Sequence, residues 1–208
     1  MSGAPDDVLP RAGRLLCLAL LLGAGTGLAS GALVQAAPGG RAVAGAETQD
    51  VTVVMSAFVY NFAARHVKWP DSAHRDKTSA FVIGVLGKDA ITPALVEVCR
   101  GRKSGERTIE VREIDSVAGA RECHILFVPV AREADLPAIR EASGAQPLLL
   151  VGASEDAVRK GAHIGFFLER SKIRFAADPE SPRKLGLEIS SELLKLARVV
   201  EKKSGGPR

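Results

Sequence analysis

The residues best able to do chemistry in this 208-residue chain are four histidines, three cysteines and a few serines set beside acids. His66, His74, His124 and His163 are scattered, with no i/i+4 pair and no Asp or Glu at ligand spacing. That pattern does not make a metal site. Ser154, followed by Glu155 and Asp156, resembles a nucleophile beside acids. A hydroxyl ahead of acidic residues is also how a helix starts, because the side chain accepts a free amide N–H and the acids face the positive end of the dipole. We read Ser154 as a cap. Gly84 and Gly87 serve packing and a turn rather than a phosphate cradle. No G-x-S-x-G, H-E-x-x-H, G-x-x-x-x-G-K-[ST] or G-x-G-x-x-G occurs. Carboxylates paired for acid–base work cannot be identified, so the residues ask for no enzyme, no metal and no cofactor.

The elements that would position these residues alternate between two periods. Residues 51–70, VTVVMSAFVYNFAARHVKWP, carry Val51, Met55, Phe58, Phe62, His66 and Trp69 on one helix face. Asp50 is the expected N-cap and Pro70 the expected stop. Residues 79–86 form a continuous apolar run closed by Gly87, and residues 124–130 and 147–151 repeat that pattern of a strand buried on both faces. Residues 108–114 alternate, as a strand with one wetter face does. Residues 91–99, 133–142, 154–160 and 185–200 have helical spacing, the last capped by Ser190 with Ile189 stapled onto Leu194. Residues 162–169 and 172–176 flank Arg170-Ser171 as a hairpin. The expected fold is α/β: a three-layer sandwich with a largely parallel sheet, helices on both faces and a late antiparallel hairpin. In such sheets ligands bind beyond the carboxyl ends of the strands. Here those ends are Gly87-Lys88-Asp89 and Gly152-Ala153-Ser154, turns into helix N-termini that could hold a small anion but read foremost as ordinary connections.

Residues 1–36 have the layout of a secretory signal peptide. Arg11 and Arg14 precede the apolar residues 15–22, and small residues follow, with cleavage after Ala36 or near residues 29–31. The apolar run is too short for a confident membrane span. Residues 37–49 read as a flexible segment, residues 50–202 as one domain and residues 203–208 as a disordered tail. Removal of Cys17 leaves Cys99 and Cys123 in an oxidising compartment. A helix that follows a parallel strand returns to the edge where the strands begin, so both cysteines reach one edge and a Cys99–Cys123 disulfide is expected. Two buried thiols are the alternative. The net charge of +4 is too modest for a nucleic-acid face. The basic stretches at 100–107 and 201–208 read as solvated.

Several phrases of the chain resemble the YfiR-like (HmsC-like) family. They are AFVYNFA at 57–63 with Trp69-Pro70, FVIGVLGKD at 81–89, HILFVPV at 124–130 and PLLLVG at 147–152. The hairpin KGAHIGFFLERSKIRF at 160–175 and the ending LGLEISSELLKLARVV at 185–200 complete the set. Ala162 and His163 stand where the family has Gly and Met. Residues 175–178 read Phe-Ala-Ala-Asp in place of Phe-Glu-Ile-Asn, which leaves the family's Asn-centred polar contact without its Asn. The resemblance implies a non-enzymatic periplasmic regulator that binds and restrains an inner-membrane signalling enzyme, a diguanylate cyclase. It further implies an OmpA-like outer-membrane lipoprotein as a competing partner, with homodimerisation open and no nucleic acid. A rigid domain of that kind needs an apolar surface patch, and the first helix, through Tyr60, Phe62 and Trp69, is the candidate. The alternative is a periplasmic small-ligand binding module serving a transporter or sensor kinase.

Overall fold

A computed structural model describes residues 42–74 and 79–200. The signal peptide, Cys17 and the tail 203–208 lie outside the described residues, as do residues 201–202 of the expected domain. The chain begins with α1 (Ala42–Asn61), which passes through a π-helical turn (Phe62–His66) into β1 (Val67–Lys68). A 3-10 turn (Asp71–His74), β2 (Phe81–Leu86), α2 (Ile91–Cys99), β3 (Lys103–Ser104) and β4 (Arg107–Ile114) follow. Next come a 3-10 turn (Ala118–Glu122), β5 (Ile125–Val128), another 3-10 turn (Val130–Asp135), α3 (Leu136–Ser143), β6 (Leu149–Gly152) and α4 (Asp156–Lys160). The hairpin β7 (Ile164–Glu169) and β8 (Lys172–Ala177), α5 (Glu180–Arg183), β9 (Glu188–Ile189), α6 (Ser191–Leu196) and β10 (Arg198–Val199) complete it.

The main sheet has the order β10-β8-β7-β6-β5-β2-β4-β3. Strands β4, β2, β5, β6 and β7 run parallel to one another, while β8 returns antiparallel to β7. Both expectations, the parallel sheet and the late hairpin, are met. Every residue of β2, β5 and β6 is buried, which is why these strands read as unbroken apolar runs. One face packs α1, α2 and α6 through Val59, Phe62, Ile91, Leu95 and Leu193. The other packs α3, α4 and the turn before β5 through Leu136, Ile139, Ala157 and Ala120. The result is the three-layer α/β sandwich. Gly152 and Gly165 let α4 and its leading turn lie close on the sheet: a Cβ on Gly152 would meet Ala157 Cβ at 2.1 Å, and one on Gly165 would meet Ser154 O at 2.3 Å.

Three local expectations are corrected. The first helix, Ala42–Asn61, includes Asp50, which lies inside it rather than capping it. The helix stops at His66, before Trp69, because Val67 and Lys68 pair with Ile189 and Glu188, and Ser190 N donates to His66 O at 2.8 Å. That same pairing removes the first half of the long C-terminal helix. Gly186 adopts a positive φ of 75°, residues 188–189 are extended, and only Ser191–Leu196 is helical, with the expected Ser190 side chain accepting from Leu193 N. Helical spacing in residues 185–200 reported which side faces the core, but strand pairing with the end of α1 won the backbone.

Candidate functional site

A cavity of about 590 Å³ lies at the amino ends of the parallel strands, opposite the edge where ligands were expected. Its walls come from the segments entering β2, β4, β5 and β6, including Ser79, Arg107, Arg121, His124 and Gln146. Arg107 opens β4 and shares the parity of Ile109 and Val111, so its side chain turns inward and is only 7% exposed. A buried guanidinium is tolerated only when its N–H groups are satisfied. Nε donates to Ser79 O at 2.7 Å, one terminal nitrogen donates to Ser79 Oγ and Ala80 O, and the other donates to Ala73 O. Residue 107 is therefore a structural anchor and not part of a solvated basic turn.

His124 stands beside it. Its Nδ1 accepts from Val82 N at 3.1 Å, so that nitrogen carries no proton and the neutral ring bears its hydrogen on Nε2. Nε2 then donates to Ala73 O at 3.2 Å, the carbonyl that Arg107 also uses. The 3.1 Å approach of Arg107 to Nε2 brings together two donors that share one acceptor. The imidazole stacks on Phe81 at 4.5 Å, and Trp69 meets Phe81 edge-on at 5.0 Å. His163 repeats the arrangement at β7. His124 N donates to Val82 O and Val82 N returns a bond to its ring; His163 N donates to Leu150 O and Leu150 N returns a bond to its ring. In both cases a His directly before a strand-opening Ile uses Nδ1 where a backbone carbonyl would otherwise accept. The shared His-Ile pair was the signal in the sequence; reading the histidines only as metal candidates missed it.

The carboxyl edge is occupied by the chain's own acids. Asp89 Oδ1 accepts from Ile91 N at the start of α2. Ser154 Oγ caps Ala157 N, as read from the sequence, and donates to Glu133 at 2.8 Å. Glu133 is 1% exposed and also accepts from Lys160 at 3.1 Å, while its Oε1 has no hydrogen-bond partner in the structure. Carboxylates already sit where an anion would bind. Ser154 thus shares its proton with a buried acid and holds α4, which is a structural role. Asp178, at the position where the family pattern has Asn, is buried and accepts from Glu180 N, Ser181 N and the Ser181 hydroxyl, starting α5.

The three aromatic candidates on the first helix part company. Phe62 is fully buried, within 6.4 Å of Phe58, Phe166 and Phe175, and belongs to the core rather than to a surface patch. Tyr60 is half-buried under the Arg102 guanidinium, 4.7 Å from its ring centre. Trp69 is half-buried on Phe81, and its Nε1 is buried without a partner. What α1 does expose is Val53 at 47% and Val54 at 41%.

Cys99 and Cys123 are free and buried. Cys99 packs in the cluster of α1 and α2, Cys123 in the cluster on the opposite face, so the sheet stands between them. The expected bridge is not made in this structure: both residues reach the amino edge, but from its two sides. Burial pushes the Cys99 thiol up to about 11 and the Cys123 thiol up to about 12. Among the described residues no group of His, Cys, Asp and Glu is placed to hold a metal, and no helix is long and apolar enough to cross a membrane.

Compared with known proteins, residues 52–198 match the family described as YfiR/HmsC-like. No curated protein matches the chain.

Proposed function

Because the chain belongs to the YfiR/HmsC-like family, we propose that it is a periplasmic regulator that binds and restrains an inner-membrane diguanylate cyclase, with no catalysis of its own. The observation that carries this reading is the family match from residue 52 to residue 198, which runs from α1 into β10. Residues 1–36 serve as the signal peptide that delivers it. An OmpA-like outer-membrane lipoprotein would relieve the restraint by competing for the same surface.

The contact surface follows from α1. Residues 51–64, from the second half of α1 into the π-helical turn, contain no charged side chain. A solvent-facing helix side ordinarily carries charged residues. Here one side packs into the core through Ser56, Val59, Phe62 and Ala63, while Val53 and Val54 face outward. We place the contact on this outer side, displaced from Phe62. The test is a cyclic-di-GMP reporter in cells carrying the cyclase. Val53→Asp with Val54→Asp should raise the signal to the level seen without the regulator, while the purified variant keeps its melting temperature, since exposed substitutions change stability by only about 0.5 kcal/mol. Full restraint by that variant would refute the surface, and no effect of deleting the regulator would refute the function.

A further inference from the structure

We propose that the cavity at the amino ends of the strands binds a small organic anion, a metabolite bearing a carboxylate or phosphate, with Arg121 as the contacting cation. Its volume of about 590 Å³ is that of a metabolite site. Among the described residues the wall carries two guanidiniums, Arg107 and Arg121, against one carboxylate, Glu122. That carboxylate lies 3.7 Å from Arg112, a residue outside the cavity lining, which offsets its charge.

Arg121 is positioned before any ligand arrives. Its Nε donates to Ala142 O at 2.6 Å, and its own carbonyl accepts from Gln146 Nε2 at 2.6 Å, tying the turn before β5 to the end of α3. With Nε committed, its two terminal amino groups have no acceptor among the described residues. Two such groups in one plane suit the two oxygens of a carboxylate or phosphate. Arg107 and His124 form a fixed floor, because each is held by backbone groups of β2 and its leading segment. Arg121 is exposed at the cavity mouth, and the buried positive charge of Arg107 behind it favours an anion over a neutral ligand. At the carboxyl edge Asp89 and Glu133 place negative charge at the turns where an anion would otherwise bind.

Trp69 supplies the readout. It is the only tryptophan, and its ring lies 6.2 Å from that of His124. The exported chain is titrated with citrate, benzoate and inorganic phosphate, with choline chloride at matched ionic strength as control, by tryptophan fluorescence and calorimetry. At least one anion should give a saturable, one-to-one response, and which one does so tells carboxylate from phosphate. Arg121→Gln should weaken that binding at least tenfold without shifting the ligand-free melting temperature. Arg121→Lys should fall between, and Arg159→Gln, away from the cavity, should bind like the wild type. No saturable binding by any of the three overturns the proposal, as does undiminished binding by Arg121→Gln or an equal response to choline chloride. The cyclic-di-GMP reporter is independent of these titrations, so failure here leaves the regulator reading standing.

Discussion

At the scale of single residues, the two thiols and Arg107 show how burial sets chemistry. Desolvation favours the neutral thiol, so Cys99 and Cys123 hold their protons far above the ordinary range. Alkylation of the native protein at pH 8 should therefore be slow at both, because the thiolate is the nucleophile. After unfolding without reductant, peptide mapping should find both modified; a pair that reacts only after reduction would show a bridge. The same shift makes a stability prediction. Below about pH 8.5 both folded and unfolded chains keep these protons, and the thiols contribute no pH dependence. As pH rises from there toward 11, the unfolded chain ionises first and binds fewer protons, so stability falls. Denaturant melts of Cys99→Ala with Cys123→Ala against wild type, from pH 8 to 10, should show a shallower fall in the variant. Arg107→Met should cost roughly 1–3 kcal/mol, since it removes the donor that holds the Ser79 and Ala80 carbonyls to the start of β4. A chemical denaturation curve decides it.

At the scale of elements, the end of α1 is held by packing, whereas the β7–β8 hairpin carries backbone strain in its turn. Phe62 lies where α1 meets the hairpin, stacked on Phe166 at 5.9 Å. Phe62→Ala should cost roughly 3–5 kcal/mol and lower the melting temperature sharply. Lost restraint in that variant would report on folding, not on contact. Arg170 and Ser171 both have positive φ, 51° and 60°, in the two-residue loop between the paired Glu169 and Lys172. Two left-handed residues in such a loop make a type I′ turn, whose preferred pair is Asn-Gly. Arg170→Asn with Ser171→Gly should stabilise the protein by about 1 kcal/mol, as read from the denaturation midpoint. An unchanged midpoint would show that the turn relaxes without penalty.

On the scale of the whole molecule, the sheet separates two cores and two edges with different fates. The carboxyl edge is closed by the chain's own acids, and the amino edge holds the cavity. The outer side of α1 lies on the layer away from α3 and α4, so the proposed partner surface and the proposed anion site are separate parts of the molecule. Export is compatible with this arrangement, because α1 begins at Ala42, after both expected cleavage positions. The mature protein should start between about residues 30 and 40. N-terminal sequencing of the exported chain checks it, and an intact Met1 in the membrane fraction would mean that the leader is retained.

The sequence by itself determined the layers. Unbroken apolar runs at 79–86, 124–130 and 147–151 are satisfied between two layers of helix, so strand burial and a largely parallel sheet were legible from pattern alone. So were the caps at Ser154 and Ser190, which depend on neighbours three residues away. Contacts between distant segments were decided by the tertiary structure. The pairing of residues 67–68 with 188–189 ended one helix and shortened another, a long-range choice that helical spacing cannot anticipate. Cys99 and Cys123 share an edge but not a face, and spacing reports the first without the second. Arg107 read as solvated because charge predicts exposure on average; the carbonyls that satisfy it come from residues 73–80, and only folding brings them to it.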